Sequence, residues 1–452
     1  MTGMGFDVEA VLRQARARGA DEAELFFEAT VDREFQVFGG RPESLSEVRA
    51  RGLGVRVVAG GRPGFAYTTD LEVQGVLAAV EEALANARLL PPDPYLALPD
   101  PGPAGVEPDA FYSPALAGTP MERKVEMALE LERMALSSDP RVRNVTRVLY
   151  SDTDRRVVVA NSRGVGVEYR TSEAALQLSL VMGDGDQVQT GNGYGYARAP
   201  ADLDLRGVVA QARDEASAML GGCPVPSARV PVVFSPRAGA LLLSVIARAA
   251  TAEAVYKRRS FLPATPGAQV ASPLVTLVDD GLLPQGHRSA PHDAEGVPCG
   301  RVEVVKEGVL ASLLYDTRSG RRAGRPSTGN SRRTSFRDWP DPSSTNFYLA
   351  PGRDDPRSMV AGVEEGLYLM DLTGLSVGGA NPATGDLSVA AGGRWIRRGR
   401  LERPVREVTV SGSLGELLRG VDAVGDDLQF LPLEGFWGSP SFRVKALVVS
   451  GT

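Results

Sequence analysis

Residues 91–108 read PPDPYLALPDPGPAGVEP. Proline has no N–H to donate and pushes the residue before it out of the helical region, so neither a helix nor an interior strand continues through this stretch. The chain therefore packs as separate pieces on either side of an extended linker or surface strap. A second break, GGCPVPSAR, fills 221–229. Gly and Pro together supply 83 of the 452 residues, well above the usual share of about 12% but without the three-residue period of a fibre. Turns are frequent and long continuous helices are few. At ~100–200 residues per domain the length suggests roughly two to four domains. Such a chain buries a core without a disulfide or metal staple.

Between the breaks the pattern runs twice through the same order. Asp7 caps a helix in which Val8, Val11, Leu12 and Ala15 recur at helical spacing, and Gly19 ends it. Strands are expected over 25–38 and 53–58, where Glu24, Phe26 and Glu28 mix with apolar neighbours. The turn Gly60-Gly61 leads into 64–68, and a helix follows over 72–88. The order restarts with a helix over 121–137 and strands over 143–151, 156–161, 165–182 and 187–197. NSRG at 161–164 and GDGD at 183–186 serve as turns, and a helix follows over 202–220. The expected fold is α+β: an antiparallel sheet region with helices on one face, made of two helix–strands–helix units. The units span 1–90 and 119–222, with the linker at 91–118. From 223 to 452 short strands with Gly turns dominate, with EG at 307–308 and GG at 392–393 read as hairpins. This part is expected to be a mostly antiparallel, barrel-like or sandwich-like β domain.

Composition removes several functions. Two cysteines, Cys223 and Cys299, give neither a disulfide scaffold nor a four-cysteine zinc site. Two histidines, His287 and His292, exclude a three-histidine centre, and neither is followed by Glu as an HExxH zinc helix requires. They also leave little room for a Ser–His–Asp triad. A net charge of -6 argues against a nucleic-acid footprint. The start, 1–6, has no basic region leading into an apolar core. The longest largely apolar stretch, 238–247, is half the ~20 residues that span a bilayer. A cytoplasmic location without a membrane is the expectation.

Two segments hold candidate chemistry. The loop HRSAPHDAEGVP contains His287, His292, Asp293 and Glu295. Asp and Glu two apart in a turn suit a cation or acid–base pair, or simply a polar loop whose Asp caps its own backbone. The second segment, 316–352, is a long irregular run with Arg318, Arg321, Arg322, Arg325, Arg332, Arg333 and Arg337, and with Asn330 and Asn346 among Gly, Ser and Pro. Long loops inside compact regions usually have a job. Arg318, Arg332, Arg333, Asn330 and Asn346 suit a peptide carboxylate or a phosphate, or pair with acids to stitch an interface. No phosphate-binding glycine loop is present.

An ordered series of motifs carries a resemblance. FSPRAGALLLSVI at 234–246, KRRSFL at 257–262, HDAEGVP at 292–298 and EGVLASLLYDTRSGRRAG at 307–324 come first. STGNSRR at 327–333, STNFYLAPG at 344–352, NPATGDLSVAAGGRWIRRGRLERPV at 381–405 and VGDDLQF at 424–430 follow. Together they resemble the TldD/PmbA family, described as modulators of DNA gyrase and as metallopeptidase-related proteins. One type in that family carries His-Glu-x-x-x-His on the first helix of its C-terminal domain, plus a late Cys, as zinc ligands. The other type lacks them and pairs with the first. Here Leu243 and Ser244 stand in place of His-Glu, Arg248 stands in place of the second His, and 428–442 contains no Cys. The resemblance implies a PmbA/TldE-type subunit with no catalytic residue, metal or cofactor of its own. It implies a heteromer with a zinc-bearing TldD-type homologue, a homodimer when isolated, and unfolded peptides as substrate. One alternative is an independent metal-dependent hydrolase built on the 287–295 loop. Another is a homodimeric binding or regulatory protein without chemistry.

Overall fold

A computed structural model describes residues 5–103, 105–432 and 435–451. Residues 1–4, part of the start read above for a leader, lie outside the described residues, as do 433 and 434 of the late segment. Six strands form the N-terminal sheet: β1 (Glu22–Phe38), β2 (Arg41–Ala59), β3 (Arg62–Thr68), β4 (Val142–Asn161), β5 (Gly166–Asp184) and β6 (Gln187–Ala197). Their order is β3-β2-β1-β4-β5-β6, antiparallel throughout. The two helix–strands–helix units thus share one sheet, joined where β1 meets β4.

Residue alternation explains the layering. Leu25, Phe27, Phe35 and Val37 lie on one face of β1, and every one of them is buried. Helices α1 (Val8–Ala17) and α2 (Val73–Ala87) cover the β1–β3 end of this face. Helices α3 (Met121–Ser137) and α4 (Leu205–Met219) cover the β4–β6 end. Asp7 caps α1 by accepting from the Ala10 amide at 3.2 Å, and Asp204 caps α4 by accepting from Gly207 at 2.9 Å. The Gly-rich strand β6 lets α4 lie close, since a Cβ on Gly191 would overlap the Ala212 carbonyl oxygen. Phe26 on the opposite face of β1 is equally buried, with Val157 and Val159 of β4. Around Phe26 the sheet is therefore covered on both sides, and the second cover comes from the C-terminal region.

That region holds β7 (Ala228–Phe234), β8 (Leu277–Asp280), β9 (Arg301–Lys306), β10 (Val309–Leu310), β11 (Ser331–Arg332), β12 (Asp341–Pro342) and β13 (Asn346–Leu349). It continues with β14 (Glu365–Thr373), β15 (Asp386–Arg397), β16 (Arg400–Ser413), β17 (Val421–Val424), β18 (Gln429–Leu431), β19 (Phe436–Ser439) and β20 (Phe442–Ser450). One sheet has the order β10-β9-β8-β13-β19-β18. The other runs β16-β15-β14-β7-β20-β17, and β16 also pairs with β20, so five of its strands close on themselves as in a barrel. The pairs β7–β14 and β13–β19 are parallel; the others are antiparallel. Helix α5 (Pro236–Ala249), capped by Ser235, packs into the core between these sheets. The α+β class and the barrel-like C-terminal sheet agree with the sequence reading. Among the described residues, no helix is long and apolar enough to cross a membrane.

Candidate functional site

The inner face of the N-terminal sheet carries charge as well as apolar side chains. Glu24, Phe26 and Glu28 alternate toward that face of β1, and Arg56 sits opposite Glu24 on β2. Ala290, Ala294 and Phe336 of the C-terminal loops pack against Phe26, Val157, Val159 and Tyr169. Inside this apolar pad, Arg56 Nη2 donates to Glu24 Oε2 at 2.6 Å and Nη1 to Glu295 Oε1 at 2.7 Å. Arg333 donates to the other oxygen of Glu24 and lies 4.4 Å over the Phe26 ring. Glu28 accepts from Arg155 at 2.7 Å and from the Phe336 amide at 2.9 Å. Burial alone would lower the Arg56 pKa, but Glu24 and Glu295 outweigh it and the net shift is upward. Burial likewise opposes ionisation of Glu295, yet Arg56 and the Thr317 amide hold its carboxyl below the usual range. For Arg333 burial prevails over Glu24 and the shift is downward. Four buried ionic side chains thus join the two halves of the chain by paired, charge-assisted bonds.

The 287–295 loop feeds this seam. Asp293 accepts from the amides of Glu295 and Val297, both at 2.9 Å, and from Ser331 at 3.1 Å. Burial, and then the charge of Glu295, push the Asp293 carboxyl up to about 7. Gly296 has φ +79°, and a Cβ there would overlap Val165, so this tight turn fits against the sheet only as glycine. The two histidines lie against different residues. His287 Nδ1 lies 3.3 Å from Glu173, with its ring edge-on to Tyr196 at 4.7 Å. His292 stacks on Tyr169 at 6.3 Å, near Gly105 of the linker. Burial lowers the pKa of both imidazoles. Among the described residues, no three His, Cys, Asp or Glu side chains form a group that could hold a metal ion.

Each member of the Arg/Asn segment has a place. Asn330 donates to Asp279 at 2.6 Å and to the Ser343 carbonyl at 3.2 Å. Asp279 also accepts from the Thr345 amide at 2.7 Å and hydroxyl at 2.8 Å. Asn346 donates to the Asp280 carbonyl at 2.5 Å and to Ser289 at 2.9 Å, and accepts from the Arg288 amide at 3.0 Å. Arg318, on helix α6 (Thr317–Ala323), reaches Asp93 of the Pro-rich linker at 2.6 Å. Arg332 differs from its neighbour. Its Nη2 lies 3.7 Å from the Cys299 sulfur, and among the described residues no carboxylate lies within ion-pair distance of it, whereas Arg333 pairs with Glu24. Burial pushes the Cys299 thiol up to about 12. Sequence reasoning singled out the loop residues but not Glu24, Glu28 or Arg56, which complete the seam.

Helix α5 tests the fit to zinc. Leu243 is buried, Ser244 donates its hydroxyl to the Leu241 carbonyl at 2.7 Å, and Arg248 is exposed. The helix lies against the late segment, where a Cβ on Gly239 would overlap the Ser439 hydroxyl. A hydrocarbon, a hydroxyl bonded to its own helix and a guanidinium are not a zinc donor set. The residues here do not fit the metal.

Three domain models of one family match in sequence order. PmbA/TldA metallopeptidase domain 1 matches residues 23–87, the central domain 114–220 and the C-terminal domain 227–451. A metalloprotease TldD homolog of Haemophilus influenzae is 26% identical, over 96% of this chain and 94% of its own. Metalloprotease PmbA of Escherichia coli O157:H7 is also 26% identical, over 91% of this chain and 88% of its own. The crystal structure of a proposed modulator of a DNA gyrase from Thermotoga maritima superposes with a TM-score of 0.88 at 26% identity, covering 98% of this chain and 99% of that one. The run of domain matches from one end to the other, on a fold shared with that structure, means that the chain belongs to the PmbA/TldD metallopeptidase family.

Proposed function

We propose that this chain is a PmbA/TldE-type partner subunit without catalysis of its own, working in a heteromer with a zinc-bearing TldD-type homologue that processes unfolded peptides. The observation that carries the reading is helix α5. Its Leu243, Ser244 and Arg248 stand where the resemblance would put the zinc ligands, and 428–442 has no Cys. Hydrolysis by a zinc-activated water needs a metal with an open coordination position, which these side chains do not supply. The chemistry would then reside in the partner, while this chain shapes the chamber and holds the peptide through the Arg/Asn segment 318–346. Among the cations of that segment, which also include Arg321, Arg325 and Arg337, Arg332 is taken as the contact to the peptide, since Arg318, Arg322 and Arg333 already pair with acids.

The test combines metal analysis with a peptide-cleavage assay on the purified chain, alone and mixed with a zinc-bearing homologue from the same cell. The expected result is neither metal nor cleavage alone, and cleavage in a stable mixed complex. Stoichiometric metal with chelator-sensitive cleavage by the chain alone would replace this reading with an independent hydrolase, its site sought at His287–Glu295.

A further inference from the structure

A short parallel bridge between Thr251 and Leu314 brings two basic runs of the sequence together. Residues 248–259 hold four cations and one acid, and 316–325 again hold four cations and one acid. Leu314 donates to the Ala250 carbonyl at 3.0 Å and its own carbonyl accepts from the Ala252 amide at 2.9 Å, so the end of α5 lies beside the start of α6. The short helix Ala252–Tyr256 packs against α6. The acids of this region are engaged. Glu253 lies 3.0 Å from Lys257 and 3.7 Å from Arg322, and Asp93 of the linker lies 2.6 Å from Arg318. Asp316 is buried as the cap of α6. Five cations are left over. Arg248, Arg258, Arg259, Arg321 and Arg325 are all exposed, and among the described residues none has an acid within ion-pair distance. Arg258 has φ 56°, a left-handed conformation that favours glycine at the end of a helix, so the backbone gives no reason for an arginine there.

The chain as a whole carries a charge of -6, so this patch is a local excess and not an effect of composition. Unpaired like charges held near one another favour an anion among them. Each guanidinium is a planar fork that matches a carboxylate. The five stand at the ends of three helices, which suits a run of spaced carboxylates better than one small anion. A nucleic acid fits less well. Arg322 already lies 3.6 Å over Tyr256 and 5.1 Å over Tyr95, so the nearest rings stack on a cation and not on bases. The acidic remainder of the surface also repels a long uniform polyanion. We propose that this surface takes an acidic segment of an extended peptide, whose Asp and Glu side chains pair with Arg258, Arg259, Arg321 and Arg325. The inference rests on the peptide-handling role proposed above and adds the class of peptide, one rich in Asp and Glu.

The full chain, without a partner, is titrated into a fluorescein-labelled peptide of alternating Glu and Ser, and binding is read by fluorescence anisotropy at low and at moderate salt. The matched probes are a Lys/Ser peptide and a single-stranded oligothymidylate with the same number of charges. The Glu/Ser peptide is expected to bind, less tightly as salt is added. The Lys/Ser peptide is expected not to bind, and the oligothymidylate to bind more weakly than the Glu/Ser peptide. Two double variants, Arg258→Glu with Arg259→Glu and Arg321→Glu with Arg325→Glu, should each weaken binding of the Glu/Ser peptide at least about tenfold. All four side chains are exposed and without an ion pair among the described residues, and circular dichroism checks that each variant keeps its fold. Arg400→Glu with Arg403→Glu makes the same charge change at exposed positions of β16 and should alter binding less than about twofold. A wild type that does not bind the Glu/Ser peptide, double variants that bind it as the wild type does, or an equal loss in the β16 variant overturns the proposal. Tighter binding of the oligothymidylate would assign the patch to nucleic acid and overturn it equally. The titration needs neither zinc nor a partner, so its failure leaves the partner-subunit reading standing, and failed cleavage in a mixed complex leaves this binding standing.

Discussion

Arg56 and Glu295, 239 positions apart in sequence, meet at 2.7 Å with 3% and 1% exposure. The bond ties the second strand of the N-terminal sheet to the HDAEGVP turn. Arg56→Ala would leave Glu24 and Glu295 buried without their shared cation. Removing one partner of a buried pair costs about 3–5 kcal/mol, so the urea midpoint is expected to fall sharply. The exposed pair Arg13–Glu9 is the control, and Arg13→Ala should leave the midpoint unchanged. Equal midpoints for the two variants would show that the seam does not hold the halves together.

Asp293 gives the seam a pH dependence. Its folded pKa is about 7, raised by burial and by Glu295 from 3.8. Asp316 is raised to about 6 by the same two causes. A carboxyl whose folded pKa exceeds its unfolded value keeps its proton in the folded state while the unfolded state releases it. Stability from this source is present below about pH 4 and lost as pH rises toward 7. Asp293→Asn cannot ionise, so its melting temperature should gain on the wild type as pH climbs through that window and then hold a constant offset. Glu295, held low by Arg56, has the opposite dependence at acid pH and is retained in both proteins. A difference that stays flat from pH 4 to 8 would contradict the raised carboxyl.

Local pattern revealed one side of this architecture and hid the other. Leu25, Phe27, Phe35 and Val37 announce an inward face, and α3 and α4 show helical spacing. Glu24 and Glu28 look like a solvent face, because charge at every second position is what an exposed face shows. They are buried because a second layer, supplied by residues some 270–310 positions later, covers them. The first half of β2 was not expected as strand at all. It is exposed on both faces, so no alternation marks it. The expected hairpin at Gly392-Gly393 lies instead within β15, at a register shift against β14 and β16. A Cβ on Gly393 would overlap the Tyr368 carbonyl, so close strand approach rather than a turn requires the glycine. The expected hairpin at Glu307-Gly308 joins β9 to a strand of only Val309–Leu310, and the chain then leads into the capping box of Asp316 and Ser319.

Helix α5 distinguishes core from surface at the positions where the resemblance would put zinc ligands. Leu243 is 3% exposed within the largest apolar cluster, whereas Arg248 is exposed. Leu243→Ala should cost about 2–5 kcal/mol in chemical unfolding, while Arg248→Ala changes little. A neutral Leu243→Ala would show that the helix is not seated in the apolar core as described.

Arg332 and Arg333 are adjacent and should fail in different ways. Arg333 is bonded to buried Glu24, so Arg333→Ala is expected to lower the unfolding free energy by about 3 kcal/mol, and the midpoint with it. Arg332 has no ion pair among the described residues, and its hydrogen bond is the weak contact to Cys299, so Arg332→Ala should shift the midpoint less. In the mixed complex with a zinc-bearing homologue, Arg332→Ala is expected to reduce peptide turnover while the partner's zinc content and the assembly stay intact. A KM increase with little change in kcat would place the guanidinium on the bound peptide. Undiminished turnover in Arg332→Ala, with the complex still formed, would take the Arg/Asn segment out of substrate binding and leave it as the polar seam between the two halves of the fold.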